Sequence, residues 1–161
     1  MQRLVVAVLT MAASATAAMA AVHGYGRWQP QPKMQGGQPR FTAVAGTCAG
    51  DGEHTACYFM GCRAGGKFEL LVQSPAGWDD TKVAASAGRF ATTVIWKDYP
   101  KMLDRLGMAT AGGRIDLAFL ESIRNEKRLT MRYEGLRFSV PLNGFGAQLA
   151  AMKKKCLAAG R

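Results

Sequence analysis

Two histidines, a short acidic loop, four cysteines and a group of arginines are the residues of this chain whose types and spacing could do chemistry. His23 and His54 are the only histidines, so a serine or cysteine nucleophile has at most one plausible imidazole base in the folded part of the chain. There is no GxSxG elbow and no HExxH helix to supply the geometry of a hydrolase. Asp51, Glu53 and His54 sit together in the stretch CAGDGEHTAC, a donor set that suits a divalent ion. The second His or Cys ligand of the usual zinc spacings is missing, and a polar turn between two cysteines has the same composition. Asp79 and Asp80, after Gly77 and Trp78, read as a solvated turn. No catalytic residue, metal or cofactor is assigned, and the chain reads as a non-enzyme.

The chemistry open to the cysteines depends on compartment. Arg3, an uncharged apolar stretch over residues 4–18, and the small-x-small step Ala18, Met19, Ala20 form a signal peptide over residues 1–20, with the mature chain starting near Ala21. An uncleaved anchor is the alternative, but eight of the nineteen residues from Leu4 to Val22 are alanine, which adds little transfer energy, and no later segment is apolar for long enough to span a bilayer. The expected location is periplasmic or secreted in a bacterium, with no stable membrane insertion after cleavage. Cys48, Cys57, Cys62 and Cys156 are therefore expected to form two disulfides in an oxidising compartment.

The chain carries 21 basic and 11 acidic residues, a formal charge of +10, of which the leader removes only Arg3. Residues 21–40 read as a flexible basic tail, because residues 24–40 hold Arg27, Lys33 and Arg40, three prolines and four glutamines but no acid. Residues 41–161 match the length of one globular domain with one core.

The expected architecture of that domain is α+β and β-rich, with antiparallel sheets or a sandwich, short helices and a C-terminal helix packed on the core through a disulfide. Two apolar runs flank Ala64, Gly65 and Gly66, which places Cys62 opposite Phe68, Met60 opposite Leu70, Tyr58 opposite Val72 and Phe59 opposite Leu71. Both faces of this hairpin carry large apolar groups, so both are expected to be covered. A second hairpin alternates strictly. Leu129, Met131 and Tyr133 interleave with Arg128, Thr130 and Arg132, and Glu134 and Gly135 turn the chain into Leu136, Phe138 and Val140. Residues 89–96 and 41–46 are weaker strand candidates. Asp98 can cap a short helix through Leu106, and residues 116–125 favour a helix although Ile115, Leu117 and Phe119 also alternate. Asn143 is the expected cap of a terminal helix whose buried stripe is Phe145, Leu149, Met152 and Cys156.

These elements constrain the disulfides. Cys57 and Cys62 lie five apart on one strand, so their side chains point to opposite faces and do not bond each other. Cys62 shares the core face of the hairpin and Cys156 the core face of the terminal helix, which favours Cys62 with Cys156 and Cys48 with Cys57. Cys48 with Cys62 and Cys57 with Cys156 is the rival.

The arginines belong to the outer face of the second hairpin. Arg132 falls opposite Arg137, with Thr130 opposite Ser139 and Arg128 nearby, an arrangement of like charges that costs stability on its own. Either this face is a candidate anion-binding site of Arg128, Arg132 and Arg137, or Glu126, Glu121 or Asp116 neutralises it. Lys153, Lys154 and Lys155 complement the C-terminal dipole of the last helix.

Residues 116–152, DLAFLESIRNEKRLTMRYEGLRFSVPLNGFGAQLAAM, resemble the C-terminal part of small exported bacterial proteins of the invasion-associated locus B type. They are similar as well to periplasmic proteins associated with type VI secretion. In the latter, a helix, two strands, a Gly-Phe or Gly-Leu step and a final helix follow in that order, and Gly144 and Phe145 supply the step here. The resemblance implies a β-rich periplasmic domain with a part in envelope or host-interaction biology, and it implies no reaction. Two functions are therefore expected: a non-enzymatic interaction module whose partner is an envelope or secreted protein, or a polyanion binder for lipopolysaccharide, glycan or nucleic acid.

Overall fold

Strict alternation in the first hairpin sets the architecture: Tyr58, Met60 and Cys62 point to one face and Cys57 and Phe59 to the other, and every one of them is buried. In the computed structural model, which describes residues 26–31, 41–50, 56–74, 81–98 and 109–159, that hairpin lies within one antiparallel sheet. The elements run β1 (Gln29–Pro30), β2 (Ala43–Ala49), β3 (Ala56–Arg63), β4 (Lys67–Ser74), β5 (Thr81–Ala87), β6 (Phe90–Asp98), β7 (Ala109–Ile115), α1 (Leu117–Ser122), β8 (Arg128–Tyr133), β9 (Leu136–Pro141) and α2 (Phe145–Ala158). The order across the sheet is β1-β2-β3-β4-β7-β6-β5-β8-β9. The protein is thus β-rich, with two helices among the described residues.

Both hairpin registers match the expected pairings, Cys62 with Phe68 in one and Arg132 with Arg137 in the other. The main core fills the concave face, where Met60, Phe68, Val72, Trp96 and Met131 meet Phe145, Leu149 and Met152 of α2. A smaller cluster covers the reverse face of β2–β4 through Phe41, Val44, Phe59 and Leu71. Glycines make room for it: a Cβ at Gly46 would lie 2.5 Å from the Phe59 ring, and one at Gly61 2.5 Å from the Phe41 ring. One disulfide belongs to each cluster. Cys48 and Cys57 face each other across β2 and β3 on the outer side, while Cys62 ties the inner face of β3 to Cys156 of α2.

β6 and β7 share only the pairs Lys97–Gly112 and Asp98–Ala111 before they diverge. Gly113 permits the crossing, since a Cβ there would fall 2.1 Å from the Ile95 carbonyl oxygen. The sheet curls so far that its two ends meet. The Trp28 amide donates to the Asn143 carbonyl at 2.8 Å, and the indole Nε1 donates to the Pro141 carbonyl at 2.8 Å.

Six residues within the stretch 21–40, expected to be a flexible tail, take part in that closure. Residues 26–31 are anchored: Trp28 is 2% exposed, its ring meets Phe145 edge-on with centroids 5.1 Å apart, and Gln29 and Pro30 pair with β2. Proline and glutamine composition argues for disorder on average, but one buried indole with two main-chain bonds outweighs it locally. The terminal helix also begins one residue later than expected. Gly144, at φ 78°, is its N-cap, whereas the Asn143 carbonyl is engaged by Trp28. Positive φ suits glycine, and a Cβ at this position would approach the Trp28 carbonyl oxygen to 3.1 Å. α1 begins as expected, with the Asp116 carboxylate accepting from the Ala118 amide at 2.9 Å. Asp98 is the last residue of β6. The proposed helix beyond it, the signal peptide, His23, the Asp51, Glu53, His54 loop and the Asp79, Asp80 turn lie outside the described residues.

Candidate anion-binding face and cleft

The β8–β9 hairpin is built to hold a rigid pair of opposed side chains. Glu134 and Gly135 have φ 44° and 81°, so the two-residue turn has the left-handed backbone of a type I′ connection. Such a turn makes Tyr133 and Leu136 a hydrogen-bonded pair. Alternation from there makes Arg132 and Arg137 a non-hydrogen-bonded pair, the kind whose side chains lie closest. Leu129, Met131 and Val140 anchor the inner face in the core, at 2% exposure or less. Arg128, Arg132 and Arg137 are all exposed on the outer face. The Arg128 Nε donates to the Ser139 hydroxyl at 2.7 Å, which fixes one arginine beside the second strand.

The three acids expected to neutralise this face, Glu121, Asp116 and Glu126, are placed elsewhere. Glu121 pairs with Lys153 of α2 and with Arg124 at 3.6 Å. Asp116 caps α1. Glu126 lies against the β5–β6 turn, where its carboxylate would be 2.7 Å from a Cβ at Gly88. Among the described residues no carboxylate comes within 4.0 Å of Arg128, Arg132 or Arg137. Among the described residues the three basic side chains have no carboxylate partner, and Arg132 stands opposite Arg137, an arrangement of like charges that costs stability on its own. Lys153, by contrast, forms the Glu121 pair that joins α2 to α1.

Two depressions flank the arginines. A cleft of about 670 Å³ opens between the β9 edge and the far ends of β2 and β3; Arg128, Arg137 and Ser139 line one wall, Gly26, Ala49 and Gly50 the other. That volume is in the range of small-ligand sites. Tyr58, Leu136 and Phe138 add apolar surface. The Tyr58 phenol is pushed up to about 12 by burial, so it stays protonated throughout the neutral range and adds no negative charge. A smaller hollow of about 380 Å³ lies over the turn, between Arg132, Glu134 and Arg137. Arg137 belongs to both. The cleft is a feature that sequence reasoning missed, because it depends on the sheet curling until β9 approaches β2. The described residues hold no cluster of three or more His, Cys, Asp or Glu side chains that could bind a metal.

No family model matches this chain. Neither a curated protein nor a solved structure matches it.

Proposed function

We propose that this protein is an exported, non-enzymatic interaction module, and that the arginine face of β8–β9 with its adjoining cleft is where its partner docks. The observation that supports the reading is the triad of Arg128, Arg132 and Arg137, without a carboxylate partner among the described residues, on a hairpin whose other face is locked into the core. A stable fold gains nothing from two opposed arginines; a surface that meets a negative partner does. An envelope or secreted protein with an acidic patch is the partner class this reading favours, in keeping with the resemblance of residues 116–152. Lipopolysaccharide phosphates, a sulfated glycan or nucleic acid form the second reading, favoured by the closeness of Arg132 and Arg137, which lets both reach one anionic group. Heparin serves as a common probe of the face. Arg137→Glu is expected to weaken heparin binding several-fold and to lower the slope of log affinity against log salt by one to two, since two contacts are touched at most. Equal binding by parent and variant would remove this face from the function.

A further inference from the structure

Resting on that reading, we infer that the docking surface is the open main-chain edge of β9, and that the segment it takes is an extended peptide in which acidic and apolar residues alternate. β9 ends the sheet, so only one of its edges pairs with β8. The register decides which residues face outward. Leu136, Phe138 and Val140 exchange main-chain bonds with β8, so the amides and carbonyls of Arg137 and Ser139 point away from it. The next outward positions, Pro141 and Asn143, show that this edge accepts pairing: their carbonyls receive the indole and the amide of Trp28. Proline at 141 costs the edge nothing there, because it lacks only the donor that Trp28 does not use. Pairing of the described chain stops at that point. Arg137 and Ser139 continue the same edge into the 670 Å³ cleft with no main-chain partner among the described residues. Among the described residues the facing wall, Gly26, Ala49 and Gly50, carries almost no side-chain bulk, as an added strand requires.

Side-chain alternation then sets the chemistry of the occupant. An added strand presents residues alternately to the two faces of the sheet. On the outer face it meets Arg128 and Arg137, which call for carboxylates. On the other face it meets Phe138 and Leu136, the latter 57% exposed and one of the few large apolar side chains left in water. A second copy of this chain is disfavoured, because β9 against β9 would set arginine against arginine.

The test uses the mature protein and a capped peptide, Glu-Val-Glu-Val-Glu-Val-Glu, in three forms: unmodified, N-methylated at the glutamates, and N-methylated at the valines. Heparin is run in parallel. The unmodified peptide should bind and slow hydrogen exchange at the Arg137 and Ser139 amides. One methylated form should bind within about twofold of it and the other at least tenfold more weakly, because alternate amides bond to the edge. Equal binding by both methylated forms would overturn strand addition. Heparin binding that depends on Arg137 while the peptide fails to bind would also overturn it, yet leave the arginine face as the docking surface. Failure of both probes would remove the inference and the docking surface together.

Discussion

The β2–β4 wall and the β8–β9 hairpin are made of the same antiparallel pairing, yet they are finished in opposite ways. In the wall, Phe59 and Leu71 are buried on one face and Met60 and Leu70 on the other, and each face has its own disulfide. Even its charged Arg63 is tied down, with Glu69 at 2.7 Å and its guanidinium 5.7 Å from the centre of the Phe41 ring. The hairpin buries only one face, and on its outer face Arg132 stands opposite Arg137. The wall holds the covalent and apolar stability, and this frees the hairpin to carry an arrangement that stability alone would not select. A scaffold with a rigid side and a charged, unfinished side is what a docking module needs.

If stability resides in the wall and its staple to α2, then removing the staple should have the largest effect. Cys62 and Cys156 are separated by 94 residues, Cys48 and Cys57 by 9. Loop entropy then predicts that Cys156→Ser costs about 4–5 kcal/mol and Cys48→Ser about 2–3 kcal/mol in urea unfolding. Equal losses would show that the long-range link is not the principal one. Trp28→Ala should cost about 3–5 kcal/mol for the lost indole and its cavity. It should also raise protease sensitivity near residue 28, whereas a tail that merely trails from the domain would leave the unfolding midpoint unchanged.

A smaller effect separates the two regions by pH. Tyr58 sits on the wall side of the cleft, with its pKa pushed up to about 12 from 10.0 by desolvation. Since the folded state holds this proton more tightly than the unfolded chain, its contribution is complete below pH 10 and is lost as pH rises towards 12. The slope is about 1.4 kcal/mol per pH unit and the total roughly 2–3 kcal/mol. Tyr58→Phe should flatten that alkaline decline, as measured by unfolding midpoints between pH 9 and pH 12.

Strong local patterns made both hairpins, their registers and the stripe of α2 legible from residues alone. So was the favoured disulfide pairing, because it followed from which face of a strand and of a helix each cysteine occupies. Three strands were not read: β5, β7 and the two-residue β1 beside Trp28. In β5, Val83, Ala85 and Ala87 do alternate inward, but small side chains carry little strand preference. In β7, Gly112 and Gly113 look like a loop, and Gly113 serves a close crossing of β6 that only tertiary structure creates. The docked Trp28 was hidden for a similar reason: its composition window is polar and proline-rich, and the partners of its indole lie more than a hundred residues away. Of the candidate site, the arginines were legible through period-two alternation. The cleft was not, since it forms between strands at opposite ends of the sheet.

The smallest expected change in stability is also the most direct test of the central claim, that β8–β9 holds repulsion for a ligand. Arg132→Glu replaces a like-charged cross-strand pair with an opposite one, which should stabilise the unliganded domain by roughly 0.2–1 kcal/mol. On the same preparation, heparin binding should weaken and its salt slope should fall by about one. Stability up and binding down, measured together by urea unfolding and by heparin titration across a salt series, is the result this account predicts. A variant that binds as tightly as the parent would contradict it and reduce the arginine face to ordinary solvated surface.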